Sequence, residues 1–163
     1  MKQSYNKVPL FVDRLVVRKP ECHTILVKPG WKKGTKIIFD SMGDERPGWL
    51  PADLVFLISE KQHPFFKRIG DDLVLKLKIP LVNALTGWSF SFRLLSGEKI
   101  SCSFSNEIIF PGFEKVIIGQ GMPLAKNEKG ARGDLRIKFH IVFPDKLSEE
   151  QRMGVAELLK YSK

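Results

Sequence analysis

Cysteine and histidine are both scarce in this chain. Only Cys22 and Cys102 occur among 163 residues, 80 positions apart (102 − 22). Two thiols so separated make neither a disulfide framework nor a metal quartet, so no metal or other cofactor is expected. A reducing cytoplasm is the simplest compartment. The three histidines, His23, His63 and His140, have no nucleophile beside them in a catalytic spacing. Cys22-His23 is adjacent on an extended run, where neighbouring side chains point to opposite faces. No HExxH, GxSxG or phosphate-binding loop occurs. Gly119-Gln120-Gly121 leads into Met122-Pro123, a turn rather than a helix, and Asp71-Asp72 after Gly70 reads as a turn pair. The chain is therefore expected not to be an enzyme. No stretch approaches the ~18 apolar residues that span a bilayer, and the first residues lack the apolar core of a signal peptide, so no membrane association is expected.

Charge is present in excess but never in blocks. Lys and Arg number 27 against 18 Asp and Glu, a formal charge of +9. Such a surplus suits an acidic peptide tail, nucleic acid or a membrane surface, or simply solvates the fold. Hydrophobic residues make up 43%, enough for a packed core.

What dominates is alternation with a period of two. Trp88, Phe90, Phe92 and Leu94 take every second place, with Ser89, Ser91 and Arg93 between them. Ile100, Cys102 and Phe104 do the same among serines. So do Leu73, Leu75, Leu77 and Ile79 around Lys76 and Lys78, and Leu135, Ile137, Phe139, Ile141 and Phe143 around Arg136, Lys138 and His140. Such runs place one face on a core and one in water, as antiparallel or sandwich strands do. Ser96-Gly97 reads as a hairpin turn. Helix is expected in two places, a single turn at 81–85 and a segment from Ser148. There Ser148 and Gln151 have the spacing of a capping box and Val155, Leu158 and Leu159 form an apolar stripe.

The chain also repeats itself. Val8-Pro9-Leu10 returns as Ile79-Pro80-Leu81, Pro29-Gly30-Trp31 as Pro111-Gly112-Phe113, and Lys36-Ile37-Ile38 as Lys115-Val116-Ile117. Gly43 echoes Gly121, and Asp53-Leu54 echoes Asp134-Leu135. The Pro-to-Asp spacing is 24 in one copy (53 − 29) and 23 in the other (134 − 111). Matched order at matched spacing argues for duplication of one supersecondary unit. The first copy is shorter by 11 residues before the Pro-Gly pair, since 8 to 29 spans 21 and 79 to 111 spans 32. The expected fold is mainly β, two tandem β-sandwich-like domains with short helical turns and a C-terminal helix. Residues 1–75 would form the first, shortened domain, 76–147 the second, and 148–163 the helix. Aromatics interleaved with bases on one exposed face would signal nucleic acid. Here bases and apolar residues alternate to opposite faces, so nucleic acid is not the expected partner.

Several motifs resemble the C-terminal region of DnaJ-type (forty-kilodalton heat-shock) co-chaperones. They are Lys28-Pro29-Gly30-Trp31-Lys32-Lys33-Gly34-Thr35-Lys36-Ile37, Pro51-Ala52-Asp53-Leu54, His63-Pro64-Phe65-Phe66-Lys67-Arg68 with Gly70-Asp71-Asp72-Leu73, Ala84-Leu85-Thr86-Gly87, Gly121-Met122-Pro123-Leu124 and Arg132-Gly133-Asp134-Leu135. The resemblance runs through residues 28–160, and no cysteine-rich zinc module interrupts it. It implies binding of non-native polypeptide clients in a hydrophobic groove of the first domain, cooperation with the seventy-kilodalton heat-shock chaperone through that partner's acidic tail, and pairing into a homodimer. No His-Pro-Asp tripeptide of a J domain occurs, because His63-Pro64 continues with Phe65. Candidate client contacts are Val8, Leu10, Leu15, Val17, Phe39 and Phe66. Lys32, Lys33 and Lys36, around the Gly34-Thr35 turn, are candidates for an acidic tail, and Val155, Leu158 and Leu159 for dimerisation. Two rival readings are an assembly subunit that keeps the fold without binding clients, and a basic β protein that binds nucleic acid.

Overall fold

In a computed structural model the chain is described over residues 2–12, 15–46, 48–125 and 130–160, with side chains described from residue 20 onward. Among the described residues ten strands and two helices follow one another: β1 (Lys2–Val12), β2 (Leu15–Thr24), β3 (Lys36–Phe39), β4 (Leu54–Leu57), β5 (Phe66–Ile69), β6 (Asp72–Pro80), α1 (Leu81–Thr86), β7 (Ser89–Arg93), β8 (Lys99–Ser103), β9 (Glu114–Ile117), β10 (Leu135–Val142) and α2 (Glu149–Leu159). The chain is mainly β, as the alternation implied. It divides into two compact units, one of residues Met1–Pro64 with Met122–Arg132, the other of Phe65–Gly121 with Gly133–Lys163. The boundary expected after residue 75 falls inside β6. That strand is hydrogen-bonded along its length to β5 and β10, so no division passes through it.

Unit 1 holds two antiparallel pairs, β1–β2 and β3–β4. The β1–β2 register slips between Lys7 and Leu10, where Pro9 stands. Proline has no N–H to give a ladder, so a bulge is one of the few strand positions that accepts it.

Unit 2 is built on a four-stranded sheet in the order β5-β6-β10-β9. β5–β6 and β10–β9 are antiparallel, but β6 and β10 run parallel, Leu73 beside Leu135 and Ile79 beside Ile141. The alternation alone suggested antiparallel neighbours; the intervening α1, β7, β8 and β9 form the crossover that a parallel pair needs. α1 is a single turn directly after Pro80, with Ala84 fully buried and its carbonyl accepting from Ile109 N at 2.9 Å. β7 and β8 form a separate hairpin closed by Leu95-Ser96-Gly97. Leu94 N donates to Glu98 O at 2.8 Å, and Gly97 takes φ 91°, the left-handed position of a three-residue loop.

The core of unit 2 lies against one face of that sheet. Leu73, Leu75, Ile79, Leu135, Ile137 and Phe139 are buried along β6 and β10. From the hairpin side Phe104 meets Phe139 edge-on at 5.4 Å and Phe113 at 5.9 Å, and Phe90 stacks on Trp88 at 4.6 Å. Lys115 Nζ lies 5.8 Å from the Phe104 ring centre, a cation–π contact.

The duplication is visible in hydrogen bonds. In unit 1, Gly43 N donates to Ala52 O at 2.6 Å and Ser41 N to Asp53 Oδ1 at 2.9 Å. In unit 2, Gly121 N donates to Gly133 O at 2.7 Å and Gly119 N to Asp134 Oδ1 at 2.9 Å. Each aspartate thus fastens the turn that leaves one strand just before the next begins. A Cβ on Gly121 would stand 2.7 Å from the Asp71 carbonyl oxygen, so only glycine allows this approach.

Candidate peptide-binding surface

β3 and β4 are four residues each and pair with Lys36 opposite Leu57, Ile37 opposite Phe56, Ile38 opposite Val55 and Phe39 opposite Leu54. Successive residues therefore fall on two faces. Ile37, Phe39, Leu54 and Phe56 share the half-buried face. There Phe39 meets Phe56 edge-on at 5.7 Å and the His23 ring of β2 at 4.9 Å, while Glu21 Oε2 lies 3.6 Å from His23 Nε2. Ile38, Val55 and Leu57 share the other face with Lys36 and are exposed, at 55%, 49% and 63%. A two-residue alternation would place polar groups there. The pair is instead apolar on both sides, which a small soluble unit ordinarily avoids unless the second face binds something.

The pairing continues past the strands, where Gly34 N donates to Ile58 O and Ile58 N to Thr35 O, both at 2.9 Å. Thr35 Oγ1 donates to Lys32 O at 2.8 Å and so shapes the turn that carries Lys32 and Lys33. Both side chains, and that of Lys36, are exposed. Glu60 Oε1 accepts from Lys33 N at 3.4 Å, placing one carboxylate beside the cluster.

Val8 and Leu10 lie on β1 and Leu15 and Val17 on β2, with Leu10 opposite Val17 and Val12 opposite Leu15; their side chains fall outside the described ones. Phe39 belongs to unit 1. Phe66, expected to line the same groove, belongs to unit 2. It starts β5 in unit 2, is 7% exposed, sits opposite Leu75 and meets the Phe92 ring at 6.4 Å. A buried core residue offers no open face to a client. Val155, Leu158 and Leu159 lie on α2, whose capping box closes with Gln151 N donating to Ser148 Oγ at 3.2 Å and Ser148 N to Gln151 Oε1 at 2.9 Å. None of the helix's residues is buried, and Leu158 is 81% exposed.

Unit 2 carries an open depression of about 360 Å³ lined by Ser89, Phe90, Ser91, Ser101, Cys102 and Ser103. Partial burial pushes the Cys102 thiol up from its ordinary pKa, Lys115 opposing the shift, which makes it a poor nucleophile. Among the described residues no three His, Cys, Asp or Glu side chains are grouped to hold a metal, and no helix is long and apolar enough to cross a membrane.

The DnaJ C-terminal domain model matches residues 3–144. The chain belongs to the DnaJ C-terminal domain family. It is 45% identical over 135 residues to DnaJ protein homolog 1 of Drosophila melanogaster, covering 83% of this chain and 40% of that protein. It is 39% identical over 141 residues to human DnaJ homolog subfamily B member 13, covering 86% and 44%. To human DnaJ homolog subfamily A member 2 it is 39% identical over 142 residues, covering 82% and 34%. The chain thus spans less than half the length of these relatives, which are DnaJ proteins by name.

Within this DnaJ-type chain, α2 lies beyond the matched residues, whereas the strands from β2 to β10 lie inside them. The exposed face of Ile38, Val55 and Leu57 was missed in the alternation. Its signal was nonetheless present, because Lys36-Ile37-Ile38-Phe39 and Leu54-Val55-Phe56-Leu57 carry apolar residues at consecutive positions, where a half-buried strand alternates.

Proposed function

We propose that this chain is the client-binding region of a DnaJ-type co-chaperone. In this reading it holds exposed apolar segments of non-native polypeptides and works in the cytoplasm with the seventy-kilodalton heat-shock chaperone. The observation that carries the reading is the second apolar face of β3–β4. Ile38, Val55 and Leu57 are held in a fixed register by strand pairing, open to water, beside an edge of lysines. A non-native chain buries apolar side chains against such a face at roughly 25 cal/mol per Å² removed from water. The contact is non-directional and so tolerates many sequences. Phe39 on the reverse side and the β1–β2 hairpin carrying Val8, Leu10, Leu15 and Val17 complete the proposed client region. Phe66 is left out of it. The acidic tail of the partner chaperone would meet Lys32, Lys33 and Lys36, and α2 would pair two protomers.

The test is suppression of aggregation of a chemically denatured client by the wild-type chain and by Ile38→Ser with Val55→Ser. Both residues are about half exposed, so exchanging them leaves the fold intact. Wild-type protection that is lost in the double variant at an unchanged melting temperature supports the reading. Equal protection by both proteins, or none by the wild type, overturns it.

A further inference from the structure

The parallel pairing of β6 with β10 creates a basic patch in unit 2 that the order of the sequence conceals. Lys76 stands beside Lys138, and Lys78 beside His140. All four are exposed on the sheet face opposite the aromatic core. Neighbouring strands lie ~4.8 Å apart and alternate residues of one strand ~6.6 Å apart, so these side chains form a small rectangular grid. Like charges side by side across strands destabilise a sheet. Of the acids on this face, Asp72 lies at the Arg136 end, where its Oδ2 accepts from Arg136 Nε at 2.8 Å, and Glu114 stands opposite Lys138 on β9, its Oε1 accepting from Arg136 at 3.3 Å. Glu114 also reaches Lys138 at 3.6 Å, but no described carboxylate pairs with Lys76 or Lys78.

We infer that this face docks an extended acidic peptide segment, one that carries carboxylates at alternate residues and lies along β6 and β10. An extended peptide repeats its side chains at the same ~6.6–6.8 Å as the strands beneath it. Successive carboxylates of such a segment therefore fall between Lys76 and Lys138 and then between Lys78 and His140. Charge complementarity supplies the attraction and spacing supplies the selectivity. Single-stranded nucleic acid fits this face less well. Stacking platforms for bases need aromatic rings among the cations, and Phe139 and Phe90 point to the opposite, core side. The site belongs to unit 2, whereas Lys32, Lys33 and Lys36 belong to unit 1, and it does not depend on client binding.

The experiment is fluorescence anisotropy on the full chain with a labelled peptide of alternating Glu and Ser. An isomer with its glutamates contiguous, a Lys-Ser analogue and an oligothymidylate serve as alternatives. The alternating peptide should bind, weaken from about 50 to about 300 mM salt, and lose about fivefold in affinity on Lys76→Ser with Lys138→Ser, at the scale of exposed charge pairs. The melting temperature of that variant should hold or rise, because two neighbouring like charges are gone. Lys78→Ser alone should weaken binding by a smaller factor. Wild-type affinity in the Lys76/Lys138 variant overturns the site. Equal binding of the contiguous isomer overturns the spacing, and tighter binding of the oligothymidylate overturns the peptide as ligand.

Discussion

Replacing Phe66 with alanine separates a core role from a client-binding role in one measurement. The ring is 7% exposed, sits across from Leu75, itself 3% exposed, and meets Phe92 at 6.4 Å and 57°. Truncating a buried phenylalanine to alanine costs about 3–5 kcal/mol, from lost transfer free energy and the cavity left behind. The contact with Phe92 lies within the geometry worth about 0.5–1.5 kcal/mol of that total. Against a domain stability of about 5–15 kcal/mol, the loss is a large fraction. With a urea dependence of about 2 kcal/mol/M, a loss of about 4 kcal/mol lowers the unfolding midpoint by ~2 M. Urea titration followed by tryptophan fluorescence reads this directly, since Trp88 belongs to the same unit. A variant whose midpoint moves by less than ~0.5 M while denatured clients no longer bind would refute the assignment and return Phe66 to a binding surface.

Three further outcomes are expected. The backbone N–H of Asp134 and then the Arg136 guanidinium hold the Asp72 carboxyl below its ordinary pKa. The resulting stability is complete above the usual carboxylate value near pH 4 and is lost as pH falls through the lower folded value. Thermal unfolding from neutral pH down to about pH 2.5 should therefore show a smaller acid loss in Asp72→Asn than in the wild type, and equal losses would count against the linkage. Leu158→Ala with Leu159→Ala should convert a dimer to monomer at micromolar concentration in sedimentation; a wild-type monomer, unchanged when 148–163 are removed, would dismiss α2 as the seam. Lys32→Glu with Lys33→Glu should abolish salt-sensitive binding of a peptide copying the partner chaperone's acidic tail, and unchanged affinity would remove that site.

The sequence alone determined four of the strands, because side-chain alternation depends only on each strand's own pleat. The runs around Leu73–Ile79, Trp88–Leu94, Ile100–Phe104 and Leu135–Ile141 all became strands with those residues toward the core side. The Ser148–Gln151 capping box was equally legible, since both its hydrogen bonds close within three residues. Duplication was readable as well, for the paired Gly–Asp positions do the same work in both units. Which strands lie side by side was decided only in three dimensions. Alternation shows which face is buried but not which strand is next to it, and a parallel partner arrives through a crossover whose length leaves no local mark. Only the β6–β10 pairing brings Lys76 to Lys138 across 62 positions (138 − 76), and only β5's place beside β6 puts Phe66 in the core of unit 2. Burial is a property of the assembled neighbours. It could not be read from a phenylalanine whose own sequence surroundings, Phe65 before it and Lys67 after, suit a core and an open groove equally.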